Sequence, residues 1–155
     1  MSDKRPILCL DFDGVLHAYT SGWLGADIIA DGPVPGAIAF LRAAAIEFCV
    51  HVYSSRSHQP GGIQAMEAWL VLEVAKVIRT WPEDELIDPS HRHQPIKAAE
   101  AWVSAWITFP TYKPRAMVTL DDRALNFTGI FPALEQIRSF RPWNKILADK
   151  PRRAS

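Results

Sequence analysis

Ile7-Leu8-Cys9-Leu10-Asp11-Phe12-Asp13-Gly14-Val15-Leu16 is the stretch that decides the fold. Four apolar residues run without a break, then give way to two carboxylates and a glycine. Such a run predicts a strand buried on both faces, as in a parallel sheet. Side chains alternate along an extended chain, so Asp11 and Asp13 leave the strand on the same side. Like charges that close repel, and a divalent cation is the simplest group to hold them together. One carboxylate is then placed to attack while its neighbour handles a proton. The structural alternative is an acidic pair that caps the turn or helix after it.

Three later segments bear on that choice. The apolar run from Phe48 to Tyr53 ends in Ser54-Ser55-Arg56. Lys113-Pro114-Arg115 precedes a third run, Ala116 to Leu120, which ends in Asp121-Asp122-Arg123. Ligands of open α/β sheets bind just outside the carboxyl ends of the strands, where these polar residues fall. A hydroxyl and an ammonium suit a phosphate; four carboxylates suit magnesium. Together they describe one phosphoryl-transfer site.

From residue 7 to about residue 143 the sequence resembles the haloacid dehalogenase superfamily of phosphotransferases. Four motifs stand in the family's order: Asp11-x-Asp13-Gly14, Ser54 at a strand end, Lys113, and Asp121-Asp122. The resemblance implies that Asp11 is the nucleophile and Asp13 the general acid/base. It implies that Ser54 binds the transferring phosphoryl group and that Lys113 neutralises it and orients Asp11. Gly14, Ser55 and Arg56 join Ser54 and Lys113 as expected phosphate or substrate contacts. Magnesium is the implied cofactor, held by Asp11, Asp121, Asp122 and the main-chain carbonyl of Asp13. Asp121 is favoured as the direct ligand, with Asp122 acting through water. The implied activity is a phosphatase working through an aspartyl-phosphate. Members that keep their phosphoenzyme alive carry threonine at the position of Asp13, so a second carboxylate argues for hydrolysis. A weaker resemblance, to small capless members associated with RNA repair and to polynucleotide phosphatases, rests on the Asp11-to-His17 opening. It makes a nucleotide or a nucleic-acid end a candidate substrate. The alternative from another class is a binding or scaffold module with vestigial chemistry.

The 155 residues fit one domain with room for a core, and 48% of them are apolar, which argues against disorder. Formal charge sums to zero. That removes any general electrostatic case for nucleic acid or an anionic membrane. Cys9 and Cys49 both lie in apolar runs and read as buried, reduced thiols, pointing to a reducing compartment. The polar Met1 to Arg5 start shows no signal peptide, and no apolar stretch is long enough to span a bilayer. The expectation is a cytoplasmic protein, monomeric or weakly oligomeric, with a phosphorylated substrate as its partner.

Proline and glycine punctuate the rest. Pro33, Pro35 and Gly36 introduce a helix with Ile38, Leu41 and Ala45 inward, widened by Ala37, Phe40 and Ala44. Pro60-Gly61-Gly62 opens a second, with Ile63, Met66, Leu70, Val74 and Val77 on one face. A third starts near Pro95, using Ile96, Ala99, Val103 and Trp106. Ile107 to Phe109 reads as a short strand. A last helix begins near Pro132 with Leu134 and Ile137 inward; Pro142 ends the ordered part, and residues 150–155 read as a tail. Strands alternating with helices predict an α/β, Rossmann-like three-layer αβα sandwich around a parallel sheet, one domain with its core at about residues 6–143. Neither interval between motifs has room for a full cap domain; residues 81–94 form at most a small lid.

The remaining signals are two-sided. His17, Tyr19 and Trp23 either line the entrance or pack their loop onto the sheet. Arg56 either reaches a second phosphate or pairs with an acid. Arg123 and Asn126 are expected to orient the acidic pair. His51 reads as a satisfied core histidine, His91-Arg92-His93 as a solvated loop, and most of the six tryptophans as core.

Overall fold

The computed structural model describes residues 4–148. Strands β1 (Ile7–Leu10), β2 (Cys49–Val52), β3 (Ile107–Thr108) and β4 (Val118–Leu120) form one parallel sheet in the order β3-β2-β1-β4. The central strand is the apolar run that precedes Asp11. Leu8 lies between Val50 and Val118, and Leu10 between Val52 and Leu120. Helix α1 (Ala37–Glu47) joins β1 to β2. Helices α2 (Gly62–Val77) and α3 (Pro95–Trp106) join β2 to β3. The result is a small α/β domain with a central parallel sheet flanked by helices.

Strand order decides where the helices go. The chain moves in one direction from β1 through β2 to β3, and right-handed crossovers then put α1, α2 and α3 on one face. Leu8, Leu10, Val50, Val52 and Ile107 point to that face. They share a single buried cluster with Leu41 of α1, Leu70 and Val74 of α2, and Ala99 and Val103 of α3. The path from β3 back to β4 reverses direction and crosses the other face. Its residues 109–117 contain no helix. That return is made by a loop, and α1, α2 and α3 form the helical layer on the first face.

The helices start where proline and glycine placed them, but their outer positions differ. Phe40, Val77 and Ile96 are exposed, while Trp69 and Trp102 are buried. Residues 81–94 are no lid. Trp81 packs edge-on against Trp102 of α3, Leu86 is buried, and Glu85 pairs with Arg42 of α1. At the C-terminal end, α4 (Leu134–Arg138) forms near the predicted place, yet Leu134 and Ile137 face solvent. A helix of five residues offers too little surface to bury such a stripe. Pro142 does not end the order either, because α5 (Trp143–Ala148) follows it, and the expected tail at residues 150–155 lies outside the described residues. Among the described residues neither Cys9 nor Cys49 forms a disulfide. Among the described residues no helix is long and apolar enough to cross a membrane.

Candidate active site

The strand order also creates a switch point. From β1 the chain turns toward β2, whereas β4 returns to the other side of β1. A crevice opens at the carboxyl ends of strands that part in this way. Here the cleft has a volume of about 300 Å³. Asp11 and Asp13 enter it from the end of β1, Tyr53, Ser54 and Ser55 from β2, and Asp121 and Arg123 from β4. Lys113 reaches it from the return loop. Sequence reading brought together Asp11, Asp13, Ser54, Ser55, Lys113 and Asp121, and all of them line this one space.

Asp11 is held by the Leu120 carbonyl, which accepts its main-chain N–H at 2.9 Å, and by the Phe12 N–H, which donates to Oδ1 at 2.8 Å. Phe12 is fully buried, and its carbonyl accepts from the N–H groups of Val15, Leu16 and His17, winding the loop tightly. Asp11, Asp121 and Asp122 each offer an oxygen within 4.8 Å of the others. Burial pushes the Asp11 carboxyl up to about 7; the Phe12 N–H opposes this, and the Asp121 and Asp122 charges add to it. Burial likewise raises Asp122.

Asp122 is the most informative member of the three. Both its carboxylate oxygens are buried, and no N–H donor reaches either; the Asp11 carboxyl is the neighbour they interact with. Arg123 Nε stays 4.0 Å away. Gly14 makes this burial sterically feasible: its φ is +84°, and a Cβ there would lie 2.3 Å from Asp122 Oδ2. Gly14 thus provides clearance under Asp122, and its carbonyl accepts the Trp143 indole N–H at 2.8 Å. Buried carboxylate oxygens without donors are costly unless a cation faces them. These three carboxylates are hard oxygen ligands that could hold a divalent cation. Asp13 contributes no side-chain atom to the group, and Asn126 lines a separate apolar groove instead of orienting it.

The Asp13 carboxylate has other partners. Arg56 Nε donates to Oδ2 at 2.9 Å and Nη2 to Oδ1 at 3.1 Å, and His17 Nδ1 lies 2.8 Å from Oδ1. The Asp31 main-chain N–H donates to His17 Nε2, so Nδ1 carries the proton and donates to Asp13. Burial pushes the Asp13 carboxyl up, but the His17 and Arg56 hydrogen bonds and the Arg56 charge outweigh it and hold it below its ordinary value. Arg56 is wholly buried, and its Nη1 donates to the carbonyls of Gly25, Ala26 and Ile28. The expected substrate contact at Arg56 is therefore corrected to an ion pair inside the protein. Its place is fixed by Ser54, whose Oγ accepts the Arg56 N–H, and by Gly62, where a Cβ would lie 2.0 Å from the Arg56 carbonyl oxygen.

Other residues were not singled out for the cleft by the sequence. Tyr53, Cys9 and Thr119 line it. Cys9 and Thr119 are paired across β1 and β4 on the face opposite Leu8, which strand alternation could have shown once the register was known. His17 is buried among Phe12, Tyr19 and Trp69, so it packs the loop, while Tyr19 does line the cleft. Trp23 lies over the Arg56 guanidinium at 4.7 Å. No protein-family model, curated protein or solved structure matches the chain.

The acid cluster predicts a specific pH dependence. In the unfolded chain Asp11 ionises near its ordinary 3.8, whereas in the folded, metal-free protein it ionises only at about 7. A raised carboxyl contributes its full stability at low pH and loses it as the pH rises through this window. Asp13 acts in the opposite sense, its contribution being lost as the pH falls below the ordinary carboxylate range. Urea unfolding at pH 8 should show magnesium stabilising the wild type by more than about 1 kcal/mol, one pKa unit being worth about 1.4 kcal/mol. The response should shrink at pH 5 and vanish in the Asp121→Ala/Asp122→Ala double variant. A double variant that keeps the full response would move the metal elsewhere.

Proposed function

We propose that the protein is a magnesium-dependent phosphomonoester hydrolase of the haloacid dehalogenase type, without a cap domain, working through an aspartyl-phosphate on Asp11. The observation that supports this most is the convergence of Asp11, Ser54, Lys113 and the acid cluster on one cleft at the switch point. A phosphate ester in that cleft meets a carboxylate nucleophile, a hydroxyl and an ammonium. Asp11, Asp121 and Asp122 would hold the magnesium ion, which supplies positive charge against phosphate oxygens and keeps Asp11 ionised.

In the first step an Asp11 carboxylate oxygen bonds to phosphorus and the ester P–O bond breaks; the leaving oxygen takes a proton. In the second, water attacks the same phosphorus, the Asp11–phosphorus bond breaks, and inorganic phosphate leaves. Lys113 neutralises the phosphoryl oxygens in both steps. Ionised Asp13 suits the second step, in which the water loses a proton. For the first, the same carboxyl must hold a proton, which the Arg56 pair opposes. The open cleft and the Asp11-to-His17 opening favour a nucleotide or a nucleic-acid end as substrate, and the two thiols without a disulfide favour a reducing, cytoplasmic setting.

The engaged state of Asp13 also favours a second reading, a non-catalytic binding module. Rapid mixing with nitrophenyl phosphate and magnesium decides between them. The wild type should turn over steadily. A nitrophenolate leaving group needs little protonation, so Asp13→Asn should give a burst followed by hydrolysis about 10²–10⁴-fold slower. Phosphate should then be trapped on Asp11. A wild type with no magnesium-dependent turnover would favour the binding module. Near-normal steady turnover in Asp13→Asn would remove Asp13 from the proton transfers.

A further inference from the structure

We infer that the sheet face beside the catalytic cleft carries a second anion subsite, so that the preferred substrate bears a second phosphate close to its phosphomonoester. The inference rests on the proposed chemistry only for the place of the first phosphate. A cavity of about 550 Å³ lies between this face and the return loop. Ile7 and His51 form its floor; Tyr112, Lys113 and Arg115 come from the loop, where Pro110 and Pro114 stiffen the backbone. Its lining contains no carboxylate. Lys113 also lines the catalytic cleft, so the two spaces are neighbours.

The chemistry of the lining selects the ligand. Among the described residues neither Lys113 nor Arg115 has an ion-pair or hydrogen-bond partner. Arg115 therefore presents an unneutralised charge to this space, while the Lys113 ammonium stands between it and the catalytic cleft. His51 is the third polar group, and the satisfied core histidine expected there is not what forms: its buried Nδ1 has no partner. Burial lowers the His51 pKa, so the ring is neutral. A buried N–H without an acceptor is disfavoured, which places the proton on Nε2 and leaves that nitrogen as a donor. Two cations and a donor suit a phosphate, and the guanidinium of Arg115 can take one bidentately. Tyr112 adds an aromatic face that is 72% exposed, against which a planar ring can stack. A nucleoside bisphosphate has these parts: a phosphomonoester, a second phosphate and a planar base.

Two measurements test this. The first is the ratio of kcat/KM for adenosine 3′,5′-bisphosphate to that for the better of the 3′- and 5′-monophosphates, with magnesium present. The wild-type ratio should exceed one, and Arg115→Ala should lower it about tenfold, the usual scale for a hydrogen bond to a charged group. A wild-type ratio of one or less, or a ratio unmoved by Arg115→Ala, overturns the subsite. The second is calorimetry in the Asp11→Asn background. There the bisphosphate should bind more tightly than either monophosphate, and adding Arg115→Ala should weaken it about tenfold, again the scale of a charged hydrogen bond. Equal affinities overturn the subsite. This readout needs no turnover, so a chain that hydrolyses nothing would refute the phosphatase while the subsite is still judged by binding.

Discussion

Asp11→Asn is expected to abolish phosphatase turnover while leaving the protein folded and, without metal, more stable at pH 8. The amide keeps the shape of the side chain but cannot form the acyl-phosphate bond. Loss of a nucleophile that works as part of a unit costs on the order of 10⁴–10⁶ in kcat, because the remaining groups have nothing to assist. The gain in stability has a separate cause. Burial and two neighbouring carboxylates push the ionisation of Asp11 up to about 7, so at pH 8 the metal-free protein carries a charge it disfavours. Removing that charge removes the loss of stability between about pH 4 and 7 described above. The two effects together separate a missing nucleophile from a damaged fold. Residual activity above about one part in 10³, in protein shown free of deamidation, would exclude the role, since that exceeds what nucleophile loss normally leaves.

Arg56→Ala should cost the most stability of any single substitution at this end of the sheet. The Arg56 guanidinium, itself fully buried, pairs with both oxygens of Asp13, which keeps 12% of its side chain exposed, and takes three main-chain carbonyls of the 25–28 segment. Truncation leaves a buried carboxylate with only His17 and strands those carbonyls. Breaking a buried pair from one side costs about 3–5 kcal/mol. A domain of this size has roughly 5–15 kcal/mol in all. The melting temperature should fall by about 10 °C, at roughly 2–4 °C per kcal/mol for a chain of this length. Arg56→Lys should recover only part of the loss, because an ammonium lacks the planar fork that meets two carboxylate oxygens while also serving carbonyls. Arg56→Ala within about 1 kcal/mol of the wild type, the scale of an exposed pair, would show that the cluster is not what fastens the loop.

Arg56 also shows where sequence reading stops. Its neighbours Ser54 and Ser55 could be placed at a strand end, since the apolar run before them is contiguous and strand ends carry the ligands of such sheets. Asp11, Asp13 and Asp121 were placed by the same logic and Lys113 by the order of the family's motifs, and each lines the cleft. β1, the starts of α1, α2 and α3, and the parallel pairing were legible because period-2 and period-3.6 patterns and proline–glycine breaks are written in adjacent residues. Which acid Arg56 would meet was not written there. Several carboxylates were candidates, and the choice of Asp13 followed from how Gly62 seats the Arg56 main chain and the 25–28 segment closes over the guanidinium. Gly14 read as part of a phosphate motif, yet what demands glycine is the Asp122 carboxylate, more than a hundred positions away in the chain. Helices on both faces were expected from alternation alone, whereas the strand order β3-β2-β1-β4 put three on one face and left the return to a loop. Leu134 and Ile137 kept the spacing of a buried stripe but sit exposed on a helix of only five residues. Local patterns determined which elements form and which residues end them. The distances between residues far apart in the chain, and hence the charge environment of each carboxylate, came only with the packing of those elements.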